Sequence, residues 1–288
     1  MAADDMMLDK GAPIDANDQS TWATDLPAEL REAGFLLPPP KVIIGNISAG
    51  HLVTGMVTGL IESLMTGTAL TCALGASGPY LDDGRNRVVS IALDVDGWDW
   101  LLFIDSDVEF TAADISTLLL PTRHVAYPTA TLPVIGGVYV NPYPDNGVRG
   151  EEDDQPNSHV GPVCYDWELR DDLDGMDGKI VPAFRRVSRS TLEHRSPYTS
   201  HDGHLWNLED KVCRVDAIGT GMMAIHRSLL NRLMAEFEPP CIWFDEPVVN
   251  GVHLGEDLGF CHRLGLLGYP VLANRACHPL HHHTLKLI

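Results

Sequence analysis

Basic residues are scarce in this chain: 20 lysines and arginines stand against 40 aspartates and glutamates, a formal charge of −20. A surplus of that size argues against nucleic acid or an anionic membrane as the main partner, because both repel a negative surface. Paired cysteines are missing as well. Cys72, Cys164, Cys213, Cys241, Cys261 and Cys277 are scattered, with no Cys-x-x-Cys. That pattern indicates neither a zinc ribbon nor a disulfide framework, and reduced, mostly buried thiols are expected. No apolar run reaches the length of about 18 residues that marks a spanning helix. Residues 42 to 65 come nearest, but Asn46, Ser48, His51, Thr54 and Glu62 interrupt them. The acidic start Met1-Ala2-Ala3-Asp4-Asp5 lacks the basic opening of a signal peptide. A soluble, cytoplasmic protein without a membrane span is the expectation.

What is present centres on Trp100-Leu101-Leu102-Phe103-Ile104-Asp105-Ser106-Asp107. An unbroken apolar run reads as a strand buried on both faces, as in a parallel sheet. Two carboxylates follow where the strand should stop, and ligands of open α/β sheets bind just beyond the carboxyl ends of the strands. Close carboxylates repel unless a cation relieves them, and hard divalent cations prefer oxygen ligands. One reading is a metal site that holds a phosphate-bearing ligand. The other is a turn that caps the next helix, for which Asp and Ser are equally suited.

The 288 residues, 44% of them hydrophobic, allow one large domain or two small ones. Residues 1–40 are polar and end in Pro38-Pro39-Pro40, which suggests an irregular arm with one short helix near Pro27 to Ala33. Residues 41–288 read as a single domain. Lys41 to Ile47 forms a first strand, a helix follows over about Leu52 to Met65, and Thr68 to Leu74 forms a second strand; this is a parallel crossover unit. The intervening turn Ser48-Ala49-Gly50-His51 matches neither the Gly-x-Gly-x-x-Gly nor the Walker spacing. A helix opens at Gly84-Arg85-Asn86-Arg87. An arginine near a helix start does not favour the dipole, which points to an anionic partner such as a phosphate. Thr111-Ala112-Ala113-Asp114 fits a capping box. Strands are expected at Pro133 to Val140, Val212 to Ala217 and Val271 to Ala273. Residues 141–210 should be long loops and a hairpin, and residues 145–178 alone hold 11 acids against Arg149 and Arg170. Gly219 and Gly221 allow a tight backbone path beside a ligand. Glu256 and Asp257 open a helix, where carboxylates suit the dipole.

In this order the motifs resemble those of the GT-A glycosyltransferases, which move a sugar from a nucleoside diphosphate to an acceptor. The matching stretches are Lys41 to Ser48, Gly84-Arg85-Asn86, the D-x-D at Asp105-Ser106-Asp107, Gly219-Thr220-Gly221-Met222-Met223-Ala224-Ile225-His226-Arg227, Glu256-Asp257-Leu258-Gly259-Phe260-Cys261, and a histidine after the last strand. The chain is also similar in its short Arg-Asn motif and compact length to glycosyltransferases encoded by bacteriophages, which would place it in a host cytoplasm.

The resemblance implies an α/β, Rossmann-like GT-A sandwich with a mostly parallel central sheet, helices on both faces and a loop-rich insertion. It implies a nucleoside diphosphate sugar as donor, held by Asn46, Ser48, Arg85, Asp105 and Ser106. Asp107, Asp105 and His281 would ligate Mn²⁺ or Mg²⁺, with His278 and His283 as alternatives in the tail and imidazole tilting the choice toward Mn²⁺. Gly219, Thr220, Gly221 and Trp243 would contact the acceptor or the sugar, and a homo-oligomer is compatible. Asp257, with Glu256, would be catalytic: the base in an inverting transfer, or a binding pair in a retaining one. The helix start would lower the pKa of Asp257 and keep it ionised, and the Asn250 to Gly255 segment would be a loop able to close over the donor. Two other readings remain open at this point. A nucleotidyltransferase shares the sheet and the carboxylates but normally has a basic Gly-rich loop after the first strand. A non-catalytic nucleotide- or sugar-binding module is the third reading.

Overall fold

The computed structural model describes residues 39–48, 52–76, 80–123, 134–141, 161–170, 180–198, 211–237 and 243–282. The expected N-terminal arm up to residue 38, the Ala49-Gly50-His51 part of the first turn, Cys241, His283 and most of the acidic stretch lie outside the described residues.

The strands are β1 (Val42–Ser48), β2 (Thr71–Ala76), β3 (Trp100–Ile104), β4 (Val108–Glu109), β5 (Val134–Gly137), β6 (Val140–Asn141), β7 (Gly161–Pro162), β8 (Cys164–Arg170), β9 (Val181–Arg186), β10 (Val212–Val215), β11 (Ala217–Ile218), β12 (Met222–His226), β13 (Val248–Val249), β14 (Val252–His253), β15 (Val271–Asn274) and β16 (Leu280–His281). The helices are α1 (Thr54–Met65), α2 (Leu81–Leu93), α3 (Ala112–Leu119), α4 (Arg189–His194), α5 (Arg227–Glu236) and α6 (Glu256–Leu266). Seven strands form the central sheet in the order β10-β15-β5-β12-β3-β1-β2. Five run in one direction, and β12 and β10 oppose them. The architecture is thus α/β and Rossmann-like, with a mostly parallel sheet.

Alternation along β3 explains the layering. Leu101 and Phe103 pack with Val88, Val89, Phe244, Phe260 and Leu264 on the face covered by α2, α5 and α6. Trp100, Leu102 and Ile104 pack with Met56, Ile115 and Leu118 on the face covered by α1 and α3. Side chains of a strand point alternately to its two faces, so a strand apolar at every position needs a cover on both. The fully parallel setting expected for this strand is corrected on one side: β1 runs parallel to β3, whereas β12 runs antiparallel. Burial on both faces specifies the apolar run but not the direction of the neighbour, which is why the sequence did not reveal it.

Helix α3 begins with the expected capping box. The Thr111 side chain accepts from the Asp114 amide, and the Asp114 carboxylate accepts from the Thr111 amide at 2.8 Å. The 141–210 region contains the β8–β9 hairpin, and β11 adds to β8 to make a three-stranded antiparallel sheet. The Asn250 segment differs from the flexible loop expected. Asn250 and Gly251 both have positive φ, 54° and 85°, and form the two-residue turn of the β13–β14 hairpin. Asn-Gly is a strong signal for a turn of this kind, and the Asn250 amide anchors the turn by donating to the Pro182 carbonyl at 3.3 Å.

Two helix glycines test this packing with opposite signs. A Cβ at Gly59 of α1 would stand 2.1 Å from the Phe110 carbonyl oxygen, whereas a Cβ at Gly265 of α6 would meet nothing within 4 Å. Gly59→Ala should therefore cost roughly 1–3 kcal/mol through overpacking, and Gly265→Ala should gain roughly 0.5–1 kcal/mol from helix propensity. Urea unfolding midpoints that move in the same direction for both variants would contradict this docking of α1.

Candidate active site at the end of β3

Chain direction delivers Asp105 to a particular place. It continues the Leu101/Phe103 face of β3, the face against which α2 packs. Arg85 of α2 lies there, only 3% exposed, with its guanidinium 5.3 Å from the Phe103 ring centre. Its Nη2 donates to Asp105 Oδ1 at 3.1 Å, and its Nε donates to Glu256 Oε1 at 3.1 Å. One cation thereby ties the end of β3 to the start of α6. Burial alone would depress the guanidinium pKa, but Asp105, Glu256 and Asp257 together more than offset it and hold Arg85 charged. The anionic partner anticipated for Arg85 is thus, in the first instance, a pair of protein carboxylates. The neighbouring Asn86 makes a two-way bond with the Phe244 backbone, donating at 2.8 Å and accepting at 2.9 Å. The Arg-Asn pair therefore positions two separate segments.

Asp257 stands beside Glu256 in the first turn of α6. Burial, and then the charge of Glu256, push its carboxyl up to about 7, against the lowering effects of Arg85 and of its bond from the Leu258 amide. The expectation of a lowered pKa is reversed because desolvation and a like charge outweigh the helix start.

The Asp105-Ser106-Asp107 turn is stapled by its backbone. The Asp105 amide donates to the Gly221 carbonyl at 3.2 Å, the Val53 amide before α1 donates to the Ser106 carbonyl at 2.9 Å, and the His282 amide donates to the Asp107 carbonyl at 2.7 Å. The last of these comes from the tail, where β16 pairs antiparallel with β4 and sets His281 opposite Val108. His281 Nε2 consequently lies 3.4 Å from Asp107 Oδ1. His278, an alternative in the sequence, instead has its Nδ1 3.1 Å from the Val138 carbonyl oxygen. His282 is also engaged, with Nε2 2.7 Å from Glu109 Oε2.

Tyr139 was not anticipated. Its ring stacks on His281 at 5.4 Å, and its hydroxyl accepts from the Gly221 amide at 2.9 Å. Burial, followed by the charges of Asp105 and Asp257, raises its pKa well above the ordinary value, so the phenol stays protonated. This explains the two glycines of the Gly219-Thr220-Gly221 stretch. A Cβ at either would fall 2.5 Å from the Tyr139 hydroxyl oxygen. The Tyr139 position carries no motif; only its place at the end of the Gly136-Gly137 strand hinted at it.

The remaining expected residues are placed as follows. Ser48 ends β1, and Asn46 is buried within it with its amide donating to the Ile104 carbonyl at 2.7 Å. Thr220 is buried. Trp243 is a core residue, 6% exposed, whose indole N–H donates to the Leu230 carbonyl at 2.9 Å. Both the ring and the polar atom of Trp243 are engaged inside the fold, which places it in the core and not at the surface where an acceptor was expected to meet it.

No group of three or more His, Cys, Asp and Glu side chains converges as a ready metal site among the described residues. Asp107 and His281 nonetheless form a carboxylate–imidazole pair. One or two protein ligands suffice where phosphate oxygens and waters complete the shell. The donor chemistry therefore fits a divalent cation, with Asp105 close in sequence but engaged by Arg85.

No family model and no curated protein matches the chain. Among solved structures, the chain is similar to A197 from STIV, at 14% identity over 85% of this chain and 86% of that one, with a TM-score of 0.44. It is also similar to GalNAc-T7, solved with UDP, GalNAc and Mn²⁺, at 13% identity over 87% of this chain and 45% of that one, with a TM-score of 0.49. This chain thus spans less than half the length of the second.

Asp257 should titrate with a midpoint at about 7, readable from its carboxyl carbon by NMR. The folded state then keeps a proton that the unfolded chain has released. The contribution of this group to stability is present below the ordinary aspartate range and is lost as pH rises through about 7. Asp257→Asn should remove that part of the pH dependence; an unchanged stability–pH curve would show that the carboxyl titrates normally.

Proposed function

We propose that this protein is a metal-dependent glycosyltransferase that moves a sugar from a nucleoside diphosphate sugar to an acceptor hydroxyl. The observation that carries the reading is the meeting of two distinct acidic arrangements at the end of β3. On one side Asp107 faces His281. On the other, Asp257, with its raised pKa, stands next to the Arg85–Glu256–Asp105 bridge. A carboxylate–imidazole pair suited to a cation, beside a separately tuned carboxylate, fits an inverting transfer from a diphosphate donor.

Asp107 and His281 would hold the divalent cation, and the imidazole favours Mn²⁺ over Mg²⁺. When bound, that cation would supply charge neutralisation for the departing diphosphate. Ser48, Asp105 and Ser106, at the carboxyl ends of β1 and β3, are the candidates to face the nucleotide, where α/β sheets place their ligands. Buried Asn46 would serve by fixing the end of β3 through Ile104. Asp257 would accept the proton of the acceptor hydroxyl in an inverting transfer. A carboxyl with a pKa near the working pH is a stronger base than an ordinary aspartate and is still largely ionised above neutrality. Arg85 and Glu256 would hold it in place, and in a retaining transfer the same acids would bind the sugar instead.

A thermal-shift screen of nucleoside diphosphate sugars should show stabilisation that depends on Mn²⁺. Asp107→Ala should abolish donor hydrolysis while the protein remains folded, because a half-exposed carboxylate past the strand end contributes little packing. Asp257→Asn should lower kcat by roughly two or more orders of magnitude with donor affinity nearly unchanged. In the wild type, kcat should rise with pH through about 7. A folded Asp107→Ala variant with full activity in Mn²⁺ would remove the metal assignment. Near-normal turnover in Asp257→Asn, or a product that keeps the donor's anomeric configuration, would remove the base.

A further inference from the structure

We infer that Glu109 is a positioning residue that clamps the C-terminal strand over the site and thereby sets the distance between His281 and Asp107. The inference rests on the metal reading above but uses different residues. Three observations converge on Glu109. Its Oε2 lies 2.7 Å from His282 Nε2. It sits in β4 opposite Leu280, in a two-stranded pairing only two residues long on each side. Its side chain also lies over the first turn of α1: a Cβ at Gly55 would stand 2.3 Å from Glu109 Cγ and 2.6 Å from its Oε2.

A two-residue ladder is too short to hold a segment by itself. The His282 amide adds one bond to Asp107, and the side-chain bond between His282 and Glu109 adds a second anchor on the opposite side of the strand from His281. Glu109 is in turn held from beneath. Helix α1 has no side-chain cap and no acid in its first turn, so the Glu109 carboxylate supplies the negative charge that this helix start lacks. Gly55 keeps the space open. One carboxylate therefore links α1, the D-x-D turn and the tail, and His281 can present its imidazole beside Asp107 because its neighbour is tied down. Tyr139, stacked on the His281 ring, closes the other face.

The test reads the clamp both without and with metal. In metal-free protein, hydrogen exchange of the His282 amide should be slow in the wild type and roughly tenfold or more faster in Glu109→Ala and in His282→Ala, since each removes the same outer support. Glu109→Gln, which keeps an acceptor oxygen, should stay close to wild type. Direct Mn²⁺ titration followed by electron paramagnetic resonance should show affinity weakened roughly 10–100-fold in Glu109→Ala. The double variant should be no worse than either single one, because both act through one bond. Gly55→Ala offers a second route, displacing Glu109 without changing it, and should speed exchange in the same way. Unchanged exchange of the His282 amide in Glu109→Ala and Gly55→Ala would overturn the inference. So would wild-type Mn²⁺ affinity in Glu109→Ala. A wild-type protein that binds no Mn²⁺ would instead overturn the metal reading, and the clamp would then stand or fall on exchange alone.

Discussion

The buried charge of Arg85 is the constraint on which the rest of this structure depends. A guanidinium removed from water costs several kcal/mol unless carboxylates and hydrogen bonds compensate it. Here two carboxylates do so from opposite directions, Asp105 from the end of β3 and Glu256 from the start of α6, each at 3.1 Å. The requirement that both be present fixes α6 relative to the sheet. It also brings Asp257 next to a like charge in partly buried surroundings, and the raised pKa of Asp257 follows from that placement. A single ionic requirement in the core thus produces both a rigid corner and a carboxyl that titrates near neutrality.

The opposite edge of the site is built from backbone instead. The Asp-Ser-Asp turn is held by hydrogen bonds to Gly221, Val53 and His282, which belong to the turn before β12, the lead into α1, and the tail. Each bond is of ordinary strength, but they come from three separate parts of the chain. The turn therefore keeps its shape only when all three have docked. The two edges differ in consequence. On the Arg85 side the guanidinium is buried and the Asp105 carboxylate is 30% exposed. The Asp107 side is more open, with the Asp107 side chain 47% exposed, which suits a group that exchanges with solvent.

Tyr139 joins the two edges. Its hydroxyl bonds the Gly221 amide, whose carbonyl receives the Asp105 amide, while its ring lies on His281. The close approach to Gly219 and Gly221 leaves no room for side chains there. The Gly-Thr-Gly stretch is therefore required by the packing of Tyr139 and Val163 behind it.

The sequence by itself determined the layered α/β plan, the position of β3, the capping box of α3 and the clustering of acids at a strand end. These follow from local rules: apolar runs covered on both faces, Thr and Asp at a helix start, and charges where a strand must stop. The Asn-Gly pair at Asn250 is a turn signal of the same local kind, and it forms the β13–β14 turn in place of a flexible loop. Tertiary structure alone decided the antiparallel setting of β12, the pairing of Arg85 with two carboxylates distant in the chain, the reversal of the pKa expected for Asp257, and the removal of Trp243 to the core. Each of these depends on which distant segment arrives at a given atom. Desolvation and Coulomb energy are set by that arrival in three dimensions, and residue type and spacing do not encode it.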